Sequence, residues 1–178
     1  PALYLLDTRR LRGVVETAPE AAQWGRELPK GRGLGIAAHR SFVSYVAAVD
    51  EVDVNDQGFL TIPRVDIAVD CGPQINPDRI RSQMEGAVVM GISLATLGEI
   101  TFKDGRTEQT NFDGFEVTRI DAAPKEIHVH IMPAGDYSLP LGGVGEPGVR
   151  PIAPALANAI FNATGKRIRT LPIRDQLA

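Results

Sequence analysis

Glu146 stands alone among small residues in the run Gly143-Val144-Gly145-Glu146-Pro147-Gly148. Glycines let the backbone approach another group closely, and Pro147 stiffens the chain just past the carboxylate. A carboxylate presented in this way can serve as a general base. The competing structural role is a negative charge placed at the N-terminus of the apolar helix that follows. The same run also matches the spacing G-x-G-x-x-G of dinucleotide-binding loops. Its context opposes that match: Pro140 breaks the segment where a strand should lead in, and no acidic residue lies about 20 positions further on. His128 and His130 stand at i and i+2 and could face one metal ion from a strand. No third ligand type clusters near them in sequence, so a solvated strand face is the favoured reading. Cys71 is the single cysteine, which excludes an internal disulfide framework and any Cys-based zinc or iron–sulfur site within these residues.

The elements that must position these residues follow from the pattern. With 178 residues, 43% hydrophobic and 23% charged, the chain has the composition of one ordinary globular domain. A net charge of −3 leaves no electrostatic footprint for nucleic acid. The longest charge-free stretches, residues 86–98 and 151–165, are shorter than the ~18–20 residues of a membrane span. The chain begins at Pro1, not at Met, which suggests a processed product or an excised piece of something longer.

Residues 3–28 read as helical, with a break near Pro19 and a short turn over 20–24. Three glycines within 30–35 read as a linker. Residues 41–54 and 59–70 form an expected antiparallel strand pair. Within the second, Val65, Ile67 and Val69 face one way and Arg64, Asp66 and Asp70 the other. Asn76-Pro77-Asp78 opens a helix that runs to about residue 97. Its second half is apolar on every side and is therefore expected to be enclosed. A hairpin over 99–110 turns at Asp104-Gly105, and residues 126–132 form a further strand. A Gly/Pro-rich loop over 133–147 leads to a second buried helix stopped by Gly165. Residues 167–173, with Pro172, read as an edge strand. The expected fold class is α+β, a two-layer sandwich of helices on a mixed β-sheet, preceded by a helical N-terminal segment. The expected division is 1–33, helical lead-in and linker, and 34–178, the α+β domain.

Three segments in this order carry a resemblance: Asp70-Cys71-Gly72-Pro73-Gln74-Ile75-Asn76-Pro77, then Gln83-Met84-Glu85-Gly86-Ala87, then Gly143-Val144-Gly145-Glu146-Pro147. Together they resemble the C-terminal part of the molybdenum-binding subunit of the molybdenum hydroxylases, the xanthine dehydrogenase and aldehyde oxidase family. The opening, with Trp24-Gly25 and Leu28-Pro29-Lys30-Gly31-Arg32-Gly33, looks most like the branch formed by the isoquinoline 1-oxidoreductase beta subunits.

The resemblance implies a molybdenum cofactor-binding domain and a bacterial oxidoreductase. It would hydroxylate an N-heterocycle or oxidise an aldehyde with oxygen taken from water. It assigns Glu146 as the active-site base, Gly145 as the neighbour approaching the metal's ligands, and Gln83 as a cofactor contact. No residue of this chain is assigned as a metal ligand, and Cys71 stands where relatives often have Val. The implied cofactor is molybdenum on a pterin dithiolene, the cytosine dinucleotide form included, shared with chain that is absent here. The implied partners are the remainder of the molybdenum subunit and a small subunit carrying iron–sulfur clusters. These 178 residues alone are then expected to be inactive. The alternative of a noncatalytic assembly domain with the same fold stays open.

Overall fold

The computed structural model describes residues 5–134 and 136–178. Residues 3 and 4 of the expected N-terminal helix and Gly135 of the expected 133–147 loop lie outside them. The described elements are α1 (Thr8–Ala21), β1 (Arg32–Ser41), β2 (Ser44–Val54), β3 (Leu60–Asp70), α2 (Pro77–Thr96), β4 (Phe102–Lys103), β5 (Arg106–Thr107), β6 (Glu126–Ile131) and α3 (Ile152–Thr164). The main sheet has the order β1-β2-β3-β6. Its first three strands are antiparallel and β6 runs parallel to β3, with α2 in the crossover between them. The sheet is therefore mixed, as expected.

Strand alternation decides what each face packs against. Val65, Ile67 and Val69 join Val46, Ala48 and Val129 in one core with α2 and α3. Tyr45, Ala47, Val49 and Ala68 point the other way and meet Val14 and Ala18 of α1. The sandwich is thus the sheet with α2 and α3, and the N-terminal helical segment covers its opposite face.

The charged residues of the alternation also meet α1. Arg10 of α1 forms a two-pronged ion pair with Asp70, Nε to Oδ2 at 3.0 Å and Nη2 to Oδ1 at 2.7 Å. Arg64 grips Asp66 in the same way and donates to the carbonyl of Ala21 at the end of α1. His130 reaches the same carboxylate, Nε2 to Oδ1 at 2.9 Å. Burial pushes the Asp66 carboxyl up, but the bonds from Arg64 and His130 outweigh it and hold the group below its usual range.

Several expectations need correction. Residues 30–35 are not a linker: Gly31 turns the chain, and Gly33 and Gly35 lie inside β1. The physical reason is α3. A Cβ at Gly35 would sit 2.1 Å from the carbonyl oxygen of Ala155 and from the nitrogen of Ala159, and one at Gly33 would be 2.4 Å from the Ala159 oxygen. The two glycines let the helix backbone rest directly on the strand. Pro19 does not break α1 but lies in its last turn; the expected turn over 20–24 follows, closed by the Trp24 N–H on the Pro19 carbonyl. Residues 167–173 form no strand. The N–H groups of Ile173 and Arg174 instead donate to the carbonyls of Ala95 and Thr96, satisfying the C-terminal end of α2. The second half of α2 is not enclosed either, since Met90 and Leu94 stand exposed on its outer face.

One buried group has no compensation. Asp50, in the middle of β2, pairs with Gly35 and Val65 on its neighbours and is fully buried. Neither carboxyl oxygen has a hydrogen-bond partner among the described residues. Burial pushes its pKa well above the ordinary carboxylate value, so the folded protein keeps a proton that the unfolded chain releases above about pH 4. Stability from this group is therefore complete at low pH and is lost as pH rises. Replacing Asp50 with an apolar residue of similar size removes that dependence. We predict that Asp50→Val is more stable than wild type at pH 8 by about 1–3 kcal/mol, and that the difference shrinks towards pH 4. Urea midpoints at the two pH values measure this; an equal difference at both would contradict it.

Candidate functional site

The segment carrying Glu146 leaves the sheet at Ile131 of β6 and docks on the β1–β2 turn. Phe42 and Val43 form this turn with φ of 50° and 66°, left-handed conformations that side-chain-bearing residues rarely adopt. The turn grips the incoming loop from both sides. Gly143 donates its N–H to the Phe42 carbonyl at 2.8 Å, and the Ser44 hydroxyl donates to the Gly143 carbonyl at 2.7 Å. One residue earlier, Gly142 donates to the carbonyl of Cys71 at 2.9 Å. Neither glycine has room for a side chain: a Cβ at 142 would meet Ser44 Oγ at 2.2 Å, and one at 143 would meet Phe42 Cβ at 2.9 Å.

Beyond this grip the chain opens. A Cβ at Gly145 would have no neighbour within 4 Å. No hydrogen bond within the described residues uses the N–H of Val144, Gly145 or Glu146. The chain then turns back, with the Val149 N–H on the Glu146 carbonyl at 3.0 Å. Pro147 and Gly148 are buried, and a Cβ at Gly148 would press on Ala87 and Met84 of α2 at 2.8 and 3.0 Å. Glu146 is thus carried on an outward bend anchored at both ends, at the sheet edge and on α2.

Its side chain is 68% exposed and its partner is Arg150, Nη2 to Oε2 at 3.5 Å. Glu146 does not cap the helix by a hydrogen bond. The residue capping α3 is Pro151, with no side-chain cap bond, and Glu146 accepts no backbone N–H of that helix among the described residues. Arg150 has further contacts, with Nη1 3.2 Å from His39 Nε2 and Cζ 5.7 Å from the centre of the Phe42 ring.

Gln83 is exposed on α2, where it lines a groove of about 310 Å3 with Cys71, Asn76, Leu141, Gly142 and Val144. The α2 residue and the glycine loop therefore share one wall, while Gly145 and Glu146 lie beyond the groove's lining. The Asn76 side chain caps α2 by accepting the Arg79 N–H at 3.1 Å. The floor of this region is held by Asp70, which takes Arg10 on one side and the N–H of Gly72 at 3.0 Å on the other. Cys71 is a buried free thiol whose pKa burial raises. His128 and His130 do not come together on a metal: their partners are Glu126 and Asp66.

Sequence reasoning missed the residues that hold the loop, namely Arg10, His39, Phe42, Ser44 and Arg150. A Phe-Val dipeptide carries no turn signal, and a lone His and Arg have no spacing to read. The Gly33-x-Gly35 period was the available clue to a helix lying on a strand.

A test of the grip lies in Ser44, which is fully buried. Ser44→Ala leaves the Gly143 carbonyl without its donor and should cost about 1–3 kcal/mol. Amide hydrogen exchange at Gly142 and Gly143, whose N–H groups are bonded, should quicken more than that of the sheet. Unchanged exchange in the loop would mean that the hydroxyl does not hold it.

Comparison with known proteins shows the family of the chain. A sequence model of the molybdopterin cofactor-binding domain matches residues 16–124. The beta subunit of isoquinoline 1-oxidoreductase from Brevundimonas diminuta is 33% identical over 179 residues, covering 98% of this chain and 22% of that protein. A nicotinate dehydrogenase subunit from Pseudomonas putida is 32% identical over 188 residues, covering 96% of this chain and 16% of that protein. Among solved structures, the aldehyde oxidoreductase from Desulfovibrio gigas superposes with a TM-score of 0.64 at 27% identity, over 75% of this chain and 15% of that one. The chain spans about a fifth of the length of these curated relatives.

Proposed function

We propose, because the chain belongs to the molybdopterin cofactor-binding domain family, that it forms one wall of the molybdenum–pterin site of an oxidoreductase, with Glu146 as the general base. The reaction would be hydroxylation of an N-heterocycle or oxidation of an aldehyde. The names of its relatives, an isoquinoline oxidoreductase, a nicotinate dehydrogenase and an aldehyde oxidoreductase, support both substrate classes.

The residues present fit such a group. Among the described residues no set of three or more His, Cys, Asp or Glu side chains could hold a metal ion. A metal carried on its own organic ligand is compatible with that. The open backbone at Gly145, with unused N–H groups on either side, leaves space and donors for one. When bound, the molybdenum–pterin group supplies the two-electron oxidation.

This chain's residues supply the rest of the local chemistry. Gly145 lets the group come close to the backbone. Glu146, exposed on the bend, takes the proton of the attacking water-derived oxygen at its carboxylate, which makes that oxygen nucleophilic. Gln83 contacts the cofactor from α2 across the shared wall. We extend the reading to the cytosine dinucleotide form of the cofactor, to iron–sulfur clusters on a small partner subunit that carry the electrons away, and to a longer molybdenum subunit that completes the pocket. On that reading these 178 residues are inactive by themselves. No helix among the described residues is long and apolar enough to cross a membrane.

The observation that carries the proposal is the anchored outward bend with an uncapped carboxylate beside an open glycine. In the assembled enzyme, Glu146→Gln keeps the shape but cannot accept a proton. It should lower turnover by ~10²–10⁴-fold, the range for a lost general base, with molybdenum content near wild type. Turnover within about threefold of wild type, far short of that range, would refute the assignment. A second measurement separates reaction classes. Turnover in isotopically labelled water should place the label in the product; incorporation from O₂ instead would point to a monooxygenase.

A further inference from the structure

Arg150 is tied to three separate parts of the chain. Its Nη2 lies 3.5 Å from Glu146 Oε2, its Nη1 lies 3.2 Å from His39 Nε2 on β1, and its Cζ lies 5.7 Å from the centre of the Phe42 ring in the β1–β2 turn. We infer that Arg150 is the positioning residue for the Glu146 carboxylate, an inference that rests on the reading of Glu146 as the base.

An exposed ion pair on its own contributes little, because two long side chains must be ordered to make it. Here much of that ordering is supplied by other contacts. The Phe42 ring receives the guanidinium through its π face, and His39 receives one N–H. Burial first and the charge of Arg150 second lower the pKa of His39. A neutral imidazole has a lone pair free at Nε2, and the Arg150 N–H fits it as donor to acceptor. The guanidinium is therefore held before it meets the carboxylate.

The placement also has a direction. Arg150 engages Oε2 and leaves Oε1 without a partner among the described residues. Held this way, one oxygen of Glu146 is occupied by the cation and the other is turned out to take a proton. The same β1–β2 turn performs both tasks. Phe42 and Ser44 fix the backbone at Gly143, and Phe42 with His39 fixes the cation beside the side chain three residues on. Backbone and carboxylate are thus referenced to one rigid element, as a proton-transfer group requires.

The test uses the assembled, molybdenum-loaded enzyme. Arg150→Met should lower kcat by roughly 10–100-fold, the scale of a misplaced reacting group, with KM little changed. Arg150→Lys, which keeps the charge but not the planar fork, should recover part of the loss. Added to Glu146→Gln, Arg150→Met should have no further effect, the non-additivity of residues that act as a unit. A readout independent of activity is carbodiimide labelling of the Glu146 peptide, measured by mass spectrometry. Labelling should rise in Arg150→Met, because the carboxylate has lost its cation. His39→Leu should shift both readouts the same way but less, and it decides the question if Arg150→Met does not load molybdenum. Wild-type kcat and wild-type labelling in Arg150→Met, with Glu146→Gln still inactive, would overturn the inference alone. A change confined to KM would also overturn it, because Arg150 would then be holding substrate. Turnover retained by Glu146→Gln would instead remove the base reading on which it stands.

Discussion

The contact on which the rest depends is that of a helix backbone lying directly on a strand with no side chain between them. Gly33 and Gly35 make it possible, since any Cβ there would enter the backbone of α3 at Ala155 and Ala159. This sets how deep α3 sits over β1 and β2, and so where residues 147–151 must pass on their way into it. Gly148 is also pressed, here by the side chains of Met84 and Ala87 of α2. At the sheet edge Gly142 and Gly143 are pressed by Ser44 and Phe42. A loop rich in glycine is ordinarily floppy. This one is immobilised because its glycines are where other atoms press on it, and Gly145, where nothing presses, is the one beside the carboxylate.

The two faces of the sheet divide the physical labour. The α2/α3 face is a largely aliphatic core that also holds Asp50, whose burial without partners makes it a local liability at neutral pH. The α1 face is seated by ion pairs: Arg10 with Asp70, Arg64 with Asp66, and Arg26 with Glu51. Partly buried pairs of this kind add little net stability against the cost of their desolvation, but they fix geometry. Arg10 matters most for the site. Through Asp70 it holds the turn at Gly72, and the neighbouring Cys71 carbonyl holds Gly142. The N-terminal helix is thereby connected to the loop that bears Glu146.

Much of this was legible in the sequence where period and punctuation agree. The β2–β3 pair, the alternation of Val65, Ile67 and Val69, the Asn76-Pro77 opening of α2 and the Gly165 stop of α3 all follow from local rules, and all are present. The failures share one cause: tertiary contact overrides local chemistry. Gly33 and Gly35 look like a break because glycine weakens a strand, yet here the missing side chains admit a helix. Residues 167–173 look like a strand by composition, yet the end of α2 offers their N–H groups better acceptors. At the site, the roles proposed for Glu146, Gly145 and Gln83 come from the family resemblance, whereas the residues that hold the loop carry no local signal. Ser44 and Phe42 act across 99 and 101 positions of sequence through Gly143, and Arg150 reaches His39 across 111.

Met90 and Leu94 stand exposed on the outer face of α2, and nothing among the described residues presses on Gly145 at the outward bend. If Glu146 is the base, the molybdenum–pterin group lies at the bend formed by Gly145 and Glu146. Anomalous X-ray diffraction from the assembled enzyme at the molybdenum absorption edge tests it most directly, because it locates the metal without reference to activity. The account predicts a single molybdenum peak facing the Gly145–Glu146 bend, with the Glu146 side chain turned towards it. A peak on the α1 side of the sheet, or one separated from the bend by other protein, would contradict it.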